Sequence, residues 1–536
     1  MGKWRRWIRS GIIRSSRIPW IRTLYRKACQ LGTWVVGRQL ASLPGVEAVY
    51  ARHSHPRSLT FAPGQSDLDL TLVFDDGAAQ DAALVRACTE RVDALSRVFW
   101  FVWPQDARFV ARRELAQIEA WPGAAEILSA PSGWIRIGGR EVRREVRDES
   151  RFPAIESNRI PLHPEFNAWW LNVLQTHVLS PQTSLAEGHM RLCFRVAMKS
   201  QLHLQVGRGR VAPSVDSYLP DSEVASLFAE DATMSALLGD LERKGFWARN
   251  GEERKTRILH RSLAQAAEFY RDLPVPADAA WVAPVAGPSP AIAEAHRVEL
   301  RKRLDGEGAL RSIAESIIIY PTPHWAPCEY QIDLLLHDDV PPAAFDEAVR
   351  AIKRSLGCRT FGIGGTHAQI TLVPRSAFEH PWYFLGTPFP FLHEHVATFA
   401  ETLFGPPPRI PAPPSRAERL RWCAQYYLFH RFTLRYRPRY VSKDCNFCQL
   451  AAIRLFLDRD AVLTDAAQVR SAYLDAFVKR SEEIQALDFL LRGERERPDE
   501  ISLDAALQLQ SRAYDSVEAL LRRAGALPDV SETERK

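Results

Sequence analysis

Residues 1–46 contain no Asp or Glu, although they carry ten Lys or Arg residues. The whole chain of 536 residues has 70 basic and 64 acidic residues, which leaves 60 basic and 64 acidic residues for the other 490. The formal net charge of +6 therefore resides in an N-terminal arm, residues 1–40, and the rest of the chain is slightly acidic.

Long apolar runs are also missing: none approaches the roughly 20 residues that cross a bilayer. Arg14 and Arg17 interrupt the arm, so it lacks the apolar core of a secretory signal. Arg6 breaks the myristoylation pattern. The sequence thus predicts no transmembrane segment.

Cysteines are few and scattered, eight in all, with a single C-x-x-C pair at Cys445 and Cys448. A zinc site usually needs two such pairs. This usage favours free thiols, with core positions for Cys445 and Cys448 and redox or metal use as alternatives. It predicts a reducing, cytoplasmic location.

The apolar content is that of a folded protein, with 46% hydrophobic and 25% charged residues. The length predicts about three to five domains, and two stretches of the chain resemble each other. Asp69–Asp76 is similar to Asp333–Asp339, and Ala107–Val110 aligns with Ala368–Thr371. We therefore predict two copies of a sheet-plus-helix unit.

The predicted fold class is α+β, a mixed α/β fold of two sheet domains, each followed by an α-helical domain. Proline clusters mark two linkers between the parts. The predicted order is the arm 1–40, a first sheet domain 41–150, a helical domain 160–273, a linker 274–290, a second sheet domain 291–403, a linker 404–415 and a C-terminal helical domain 416–530.

The most informative segment runs from Val49 through Ser54 to Asp67-Leu68-Asp69. Two carboxylates at positions i and i+2 of a strand point to the same face and repel each other unless a cation lies between them. Mg²⁺ prefers such oxygen ligands. A pair of metals held this way suits an in-line nucleotidyl displacement.

This segment resembles the polymerase-β-like nucleotidyltransferase superfamily, whose Asp-hydrophobic-Asp pair follows a Gly-Ser turn by about a dozen residues. Ser54 precedes Asp67 by 13 positions. The resemblance implies a short mixed sheet flanked by helices and followed by a helical domain. It also implies transfer of a nucleoside monophosphate from an NTP to an acceptor, which could be a small molecule, a protein or a nucleic acid.

Residue roles follow from the same resemblance. Asp67, Asp69 and Asp106 would be the catalytic metal ligands for Mg²⁺, with Mn²⁺ as an alternative metal and Glu114 as an alternative to Asp106. His53, Ser54, Ser66 and Lys199 would bind the nucleotide, and Gly207–Arg210 could line the same cleft. His53 stands where the family has Gly, which motivates an alternative function: a non-catalytic nucleotide-binding or scaffold protein.

In the second copy, Asp69 aligns with Asp333, Asp67 with Gln331 and Asp106 with His367. We expect no two-metal chemistry there. Gly362–Thr366 is interpreted as a loop rather than a phosphate cradle. His393 and His395 are interpreted as a solvated helix start rather than metal ligands.

The arm interleaves Arg with Trp and Ile residues, which leaves three interpretations. It could lie on an anionic membrane surface, track nucleic acid or another acidic partner, or dock on the acidic remainder of the same chain. We favour intramolecular docking.

Overall fold

The computed structural model is a mixed structure of helices and sheets that divides into two compact units. Unit 1 comprises 1–156, 213–221 and 417–536, and unit 2 comprises 157–212 and 222–416. The structure describes residues 3–16, 18–52, 63–64, 66–78, 82–102, 107–112, 115, 135–142, 162–179, 193, 196–197, 200–201, 204, 232, 234–236, 251–275, 277, 279–282, 289, 292–305, 308–322, 329–381, 383, 392–412, 415–417, 419–420, 423–424, 427, 446–459, 466–478, 481–492 and 503–527.

Helices account for most of the described chain. They are α1 (Lys3–Ser15), α2 (Pro19–Ala41), α3 (Ala82–Val98), α4 (Leu162–Leu179), α5 (Gly251–Asp272), α6 (Glu294–Asp305), α7 (Gly308–Arg311), α8 (Pro342–Leu356), α9 (Arg375–Phe378), α10 (Leu392–Phe399), α11 (Asn446–Arg459), α12 (Ala466–Phe477), α13 (Glu482–Arg492) and α14 (Leu503–Arg523). Within the described residues, none of these helices has the length and apolarity that crossing a membrane requires.

Strands form two sheets and one short ribbon. They are β1 (Val46–Arg52), β2 (Asp69–Phe74), β3 (Arg108–Ala111), β4 (Ile135–Gly139), β5 (Trp281–Val282), β6 (Ala314–Pro321), β7 (Tyr330–Leu336), β8 (Thr360–Ile363), β9 (Thr366–Pro374), β10 (Glu401–Phe404) and β11 (Ile410–Pro411).

The sheet of unit 1 has the order β3-β2-β1-β4. β2 is parallel to β3, and β1 is antiparallel to both β2 and β4. Leu70, Leu72 and Phe74 alternate along β2 and pack in one cluster with side chains of α2 and α3. Because side chains alternate along a strand, Asp69 and Thr71 face the opposite side of the sheet.

Glycine lets α2 lie directly on the sheet. A Cβ on Gly37 would lie 2.2 Å from the carbonyl oxygen of Ile137, and one on Gly138 would lie 2.2 Å from that of Gly37. The helix and β4 therefore touch through their backbones, which any side chain at either glycine would prevent.

The sheet of unit 2 has the order β10-β6-β7-β9-β8. Its strands β9, β7, β6 and β10 repeat the order and the orientations of β3, β2, β1 and β4. All seven residues of β7 are buried, as expected for a central strand covered on both faces.

Two irregularities occur at matching places in the two sheets. Register shifts interrupt the β1–β2 pairing between Val46 and Ala48, and the β6–β7 pairing between Ala314 and Ser316. A second shift occurs on the other side of each first strand. Between the partners of Val49 and Tyr50, β4 has one extra residue, and β10 has one extra residue between the partners of Ile317 and Ile318. β-bulges depend on local strand geometry, so these shifts align the two sheets residue by residue.

Glu47 and Glu315 show the same equivalence. A Cβ on Gly139 (φ 72°) would lie 2.2 Å from the Glu47 carbonyl oxygen, and one on Gly405 (φ 76°) would lie 2.0 Å from that of Glu315. The carboxylates of these two glutamates form ion pairs with Arg112 and Arg375 respectively. These shared features support the two-copy interpretation.

The helical segments are distributed differently from the predicted order. Segment 160–273 was predicted to accompany the first sheet, but α4 and α5 belong to the unit of the second sheet. The physical reason is visible at Gln175 of α4, whose amide donates to the Leu372 carbonyl at 2.9 Å and accepts from the Leu372 N–H at 2.7 Å. The side chain thus completes the edge of β9 beyond its pairing with β8.

α11–α14 in turn are grouped with the first sheet. Their apolar faces form a core that includes Phe456, Tyr473, Leu509 and Tyr514. α11 is buried on nearly all sides between Leu450 and Phe456, as expected for a helix in the centre of such a core.

Both predicted proline-rich linkers contribute a strand to one ribbon. β5 and β11 pair antiparallel, with Ile410 opposite Val282 and Pro411 opposite Trp281. Proline fits here because it lies in an edge strand of two residues. Segments 274–290 and 404–415 are therefore held together in unit 2 at this ribbon, rather than being simple spacers.

Candidate functional site

Asp67 and Asp69 lie at the start of β2. Asp69 is its first residue, half-buried and opposite Arg52 of β1. Asp67 precedes the strand, and Leu68 between them bridges Val102, with its N–H donating to the Phe101 carbonyl at 2.7 Å. Both carboxylates therefore lie at one end of a buried strand.

Arg9 of α1 is bound to Asp67. Its Nη2 donates to Asp67 Oδ1 at 2.8 Å, and its Nε donates to the Gly64 carbonyl at 2.9 Å. The two side chains are 15% and 31% exposed, so this charge-assisted hydrogen bond is partly shielded from solvent. The Arg9 guanidinium therefore pairs with one of the two carboxylates that were predicted to bind metal.

Gly64 allows α1 to approach this loop. Its φ is 83°, a conformation that favours glycine, and a Cβ would lie 2.7 Å from Ile13 Cγ1. Ile12 and Ile13 are each only 7% exposed. Arg9, Ile12 and Ile13 share one helix face, so the arm docks through an apolar contact and an ion pair together.

Thr71 extends the polar side of β2. Its side chain is fully buried, lies two residues beyond Asp69 on the same face, and its Oγ1 makes no hydrogen bond to the described residues. Ser66, predicted to bind nucleotide, is buried beside Asp67 in sequence. Ser66, Asp69 and Thr71 are therefore the polar residues near Asp67 at this end of the sheet.

Several predicted site residues lie outside the described residues: His53, Ser54, Asp106, Glu114, Lys199 and the segment Gly207–Arg210. Among the residues that the structure does describe, no group of three or more His, Cys, Asp or Glu side chains could hold a metal ion. The described part of the predicted site is thus Ser66, Asp67 and Asp69.

The second sheet aligns with the first differently from the sequence alignment. The shared β-bulges equate Phe74 with Leu336, and therefore Thr71 with Asp333 and Asp69 with Gln331. The predicted match of Asp69 with Asp333 is therefore wrong by two residues. Both strands contain the dipeptide Asp-Leu, but at positions that differ by two residues along the strand. β3 and β9 shift likewise, so that Arg108 matches Thr371.

Asp333 is part of a buried polar network. Tyr320 Oη donates to its Oδ2 at 2.8 Å, and Gln331 Nε2 donates to its Oδ1 at 2.9 Å. Burial raises the pKa of Asp333 to about 6, while these two hydrogen bonds and the charge of Arg359 oppose the rise. The carboxyl is enclosed by its own side-chain partners.

Arg359 connects this network to α4. Its guanidinium donates to the Ile370 carbonyl at 3.0 Å and to Thr371 Oγ1 at 3.0 Å. It also bonds the carbonyl and side chain of Asn172. The side chain is 3% exposed, so the network replaces solvent around a buried cation. The arrangement is structural in character.

Two further sequence interpretations can be compared with the structure. Gly364 and Gly365, with φ of 53° and 90°, form the two-residue turn between β8 and β9, which agrees with the loop interpretation of 362–366. His393 and His395 are 4% and 2% exposed, so the expectation of a solvated helix start is wrong. Cys445 lies outside the described residues.

Comparison with protein-family models, curated proteins and solved structures finds no match to this chain. We therefore infer the function from the residues of the site alone.

Sequence reasoning did not identify Arg9 as the partner of Asp67. The available signal was the spacing of Arg9, Ile12 and Ile13 in an amphipathic pattern, together with the complete absence of acid in the arm. Intramolecular docking of the arm was the favoured interpretation, and the Arg9–Asp67 contact is such a docking contact.

Proposed function

We propose that this protein is a nucleotidyltransferase whose N-terminal half transfers a nucleoside monophosphate from an NTP to an acceptor. The observation that carries the proposal is the pair of carboxylates, Asp67 and Asp69, at one end of β2, with a cation already bound to Asp67. The resemblance to the polymerase-β-like superfamily assigns this pair to metal binding.

The local electrostatics support a cation site. Two carboxylates separated by one residue repel each other unless a positive charge lies close to them. Arg9 offsets this repulsion at Asp67 from a distance of 2.8 Å. In the proposed active state, a divalent cation displaces the Arg9 guanidinium from Asp67.

The donor chemistry of Asp67 and Asp69 fits Mg²⁺ or Mn²⁺, since both offer carboxylate oxygens. A bound divalent ion would supply charge stabilisation for the transferring phosphoryl group. Asp106 is the proposed third carboxylate. Its chain neighbour Ala107 is buried at the beginning of β3, the strand parallel to β2.

In the proposed reaction, an acceptor oxygen forms a bond to the α-phosphorus of the NTP as the bond to pyrophosphate breaks. Asp106 would take the proton from the acceptor. Ser66, with His53 and Ser54, is proposed to contact the triphosphate. The second sheet has Gln331 and Thr371 where the first has Asp69 and Arg108, and its Asp333 is enclosed, so we assign no catalysis to it.

The Arg9–Asp67 ion pair also favours a second candidate, a non-catalytic nucleotide-binding protein in which the guanidinium permanently replaces a metal. The two candidates differ in one respect that can be measured. Only the enzyme releases pyrophosphate from an NTP.

The experiment uses the full chain with each α-labelled NTP and Mg²⁺, with and without cell extract. The variant Asp67→Asn/Asp69→Asn keeps the shape of both side chains and removes both charges. Asp76→Asn, exposed beyond the other end of β2, is the matched control. The enzyme proposal expects a loss of label transfer of roughly 100-fold in the double variant, since metal-bound charge contributes several kcal/mol, with the control unchanged.

A further inference from the structure

The outer face of α2 carries a stripe of exposed apolar side chains. Trp20, Leu24, Leu31 and Trp34 are 68%, 58%, 65% and 54% exposed. Their spacings of four, seven and three residues place them on one side of the helix. We define these four residues as the α2 stripe.

The α2 stripe lies opposite the face that α2 buries. The buried residues Cys29, Thr33, Val36 and Leu40 recur at helical spacing, about half a turn away from the stripe. None of residues 19–28 is buried, so the first half of the helix extends beyond the core with Trp20 and Leu24 exposed. The stripe is therefore not the core-facing side of the helix.

Exposed apolar side chains are concentrated in this region. Six of the eleven large apolar side chains that are exposed among the described residues lie between residues 7 and 34. Trp7 of α1 and Ile18 are exposed as well, at 78% and 46%. Isolated exposed apolar residues need no explanation, but an aligned group marks an interaction surface.

The charged residues of α2 itself are all positive. Lys27 and Arg38 lie within the same helical sector, and no acidic residue occurs in 1–46. Arg38 also stacks over the Trp34 ring at 5.4 Å. The surface thus combines tryptophan and leucine with cations, which is the composition of a helix that lies in the plane of a membrane interface.

We propose that the α2 stripe binds the surface of an anionic lipid bilayer, with α2 lying parallel to it. Tryptophan prefers the interfacial region, leucine enters the acyl boundary, and the cations contact lipid phosphates. A second copy of this chain fits less well, because it would bring two acid-free, basic surfaces together. Nucleic acid fits less well too, because Leu24 and Leu31 have no ring on which a base could stack.

The test is flotation of the full-length protein with two kinds of vesicle. One contains phosphatidylcholine alone, and the other also contains about 30% phosphatidylglycerol, which gives it a negative surface charge. The test variant is Leu24→Asp/Leu31→Asp. The matched control is Val98→Asp/Val298→Asp, which makes the same kind of change at two exposed positions elsewhere, with 74% and 55% exposure. Circular dichroism melting checks that both variants are folded.

We expect the wild-type protein to bind the anionic vesicles at least about tenfold more strongly than vesicles of phosphatidylcholine alone. Leu24→Asp/Leu31→Asp should bind the anionic vesicles at least about tenfold more weakly than wild type, and the control should bind them as wild type does. Two parallel arms use a labelled single-stranded DNA and light scattering after size-exclusion chromatography. Absence of vesicle binding overturns the proposal, and so does binding that the two α2 substitutions leave intact. DNA binding or dimerisation that replaces vesicle binding identifies the competing occupant.

Discussion

Arg9 Nη2 lies 2.8 Å from Asp67 Oδ1, which joins the acid-free N-terminal arm to the carboxylate pair at the start of β2. The same guanidinium holds the Gly64 carbonyl. α1 therefore contacts both Gly64 and Asp67, the latter being one of the two proposed metal ligands. This relationship gives the arm a direct electrostatic influence on the site.

Replacing Arg9 by Gln should increase the affinity of the protein for Mn²⁺ by about tenfold, because a competing positive charge is removed from Asp67. Full Coulomb interaction at this distance would be larger, but partial exposure screens it. Titration followed by the loss of the free Mn²⁺ electron paramagnetic resonance signal measures this. Arg14→Gln, an exposed change on the same helix, is the control. Equal affinities for the two variants would contradict the assignment of Asp67 as a metal ligand.

Gly405 should be far less tolerant of alanine than Gly525. Both have positive φ, 76° and 67°, so both incur backbone strain of roughly 1 kcal/mol. At Gly405 the new Cβ would also lie 2.0 Å from the Glu315 carbonyl, whereas Gly525 has nothing within 4 Å. We expect Gly405→Ala to lower the free energy of unfolding by at least about 3 kcal/mol.

Urea unfolding monitored by circular dichroism distinguishes these two glycine variants. Gly139→Ala should behave like Gly405→Ala, because its Cβ would meet the Glu47 carbonyl in the matching bulge. Similar stabilities for Gly405→Ala and Gly525→Ala would argue against the close strand approach in the structure.

Gln175 should contribute through both of its hydrogen bonds to Leu372. Gln175→Met keeps the volume and leaves one buried N–H and one buried C=O without a partner, which costs roughly 2–4 kcal/mol. Gln39→Met, on the exposed side of α2, should change stability by less than about 0.5 kcal/mol. Chemical denaturation compares them, and a neutral Gln175→Met would show that α4 does not complete the edge of β9.

Asp333 should make stability depend on pH in a specific direction. Burial raises the pKa of Asp333 from 3.8 to about 6, so the folded protein holds this proton more tightly than the unfolded chain. The favourable contribution is complete below pH 3.8 and is lost as the pH rises to about 6. The shift corresponds to roughly 3 kcal/mol at most.

Asp333→Asn should therefore stabilise the protein relative to wild type, and by about 1 kcal/mol more at pH 8 than at pH 5. Urea denaturation at both values measures the difference, with the exposed Asp339→Asn as the control. Burial lowers the pKa of His380 to about 4, so His380 stabilises at neutral pH and loses that effect in acid. Wild type and Asp333→Asn both contain His380, so its contribution cancels in the difference between their free energies of unfolding. An increment that is the same at both pH values would contradict a buried, protonated Asp333.

Local sequence signals predicted much of the first sheet. The alternation over 46–51 is typical of a strand and matches β1, and the Leu43-Pro44-Gly45 stop signal follows shortly after the end of α2 at Ala41. The pair Asp67 and Asp69 was recognised from its spacing. The docking of Arg9 required knowledge of where α1 packs, which a charge pattern alone does not define.

The alignment of the two sheets could not be obtained from sequence for a physical reason. Asp69-Leu70 and Asp333-Leu334 look alike, but they occupy different positions along β2 and β7, and only the pairing with β1 and β6 shows this. The association of α4 with β9 depends on Gln175 meeting Leu372, 197 residues away. Such contacts are tertiary and have no local signature.

Pyrophosphate release from α-labelled NTP in the presence of Mg²⁺ tests the central claim most directly. We predict that the wild-type protein and Asp76→Asn release pyrophosphate and transfer label to an acceptor, and that Asp67→Asn/Asp69→Asn loses both activities by roughly 100-fold. Release and transfer at the wild-type rate in the double variant would contradict the assignment of Asp67 and Asp69 as the catalytic carboxylates.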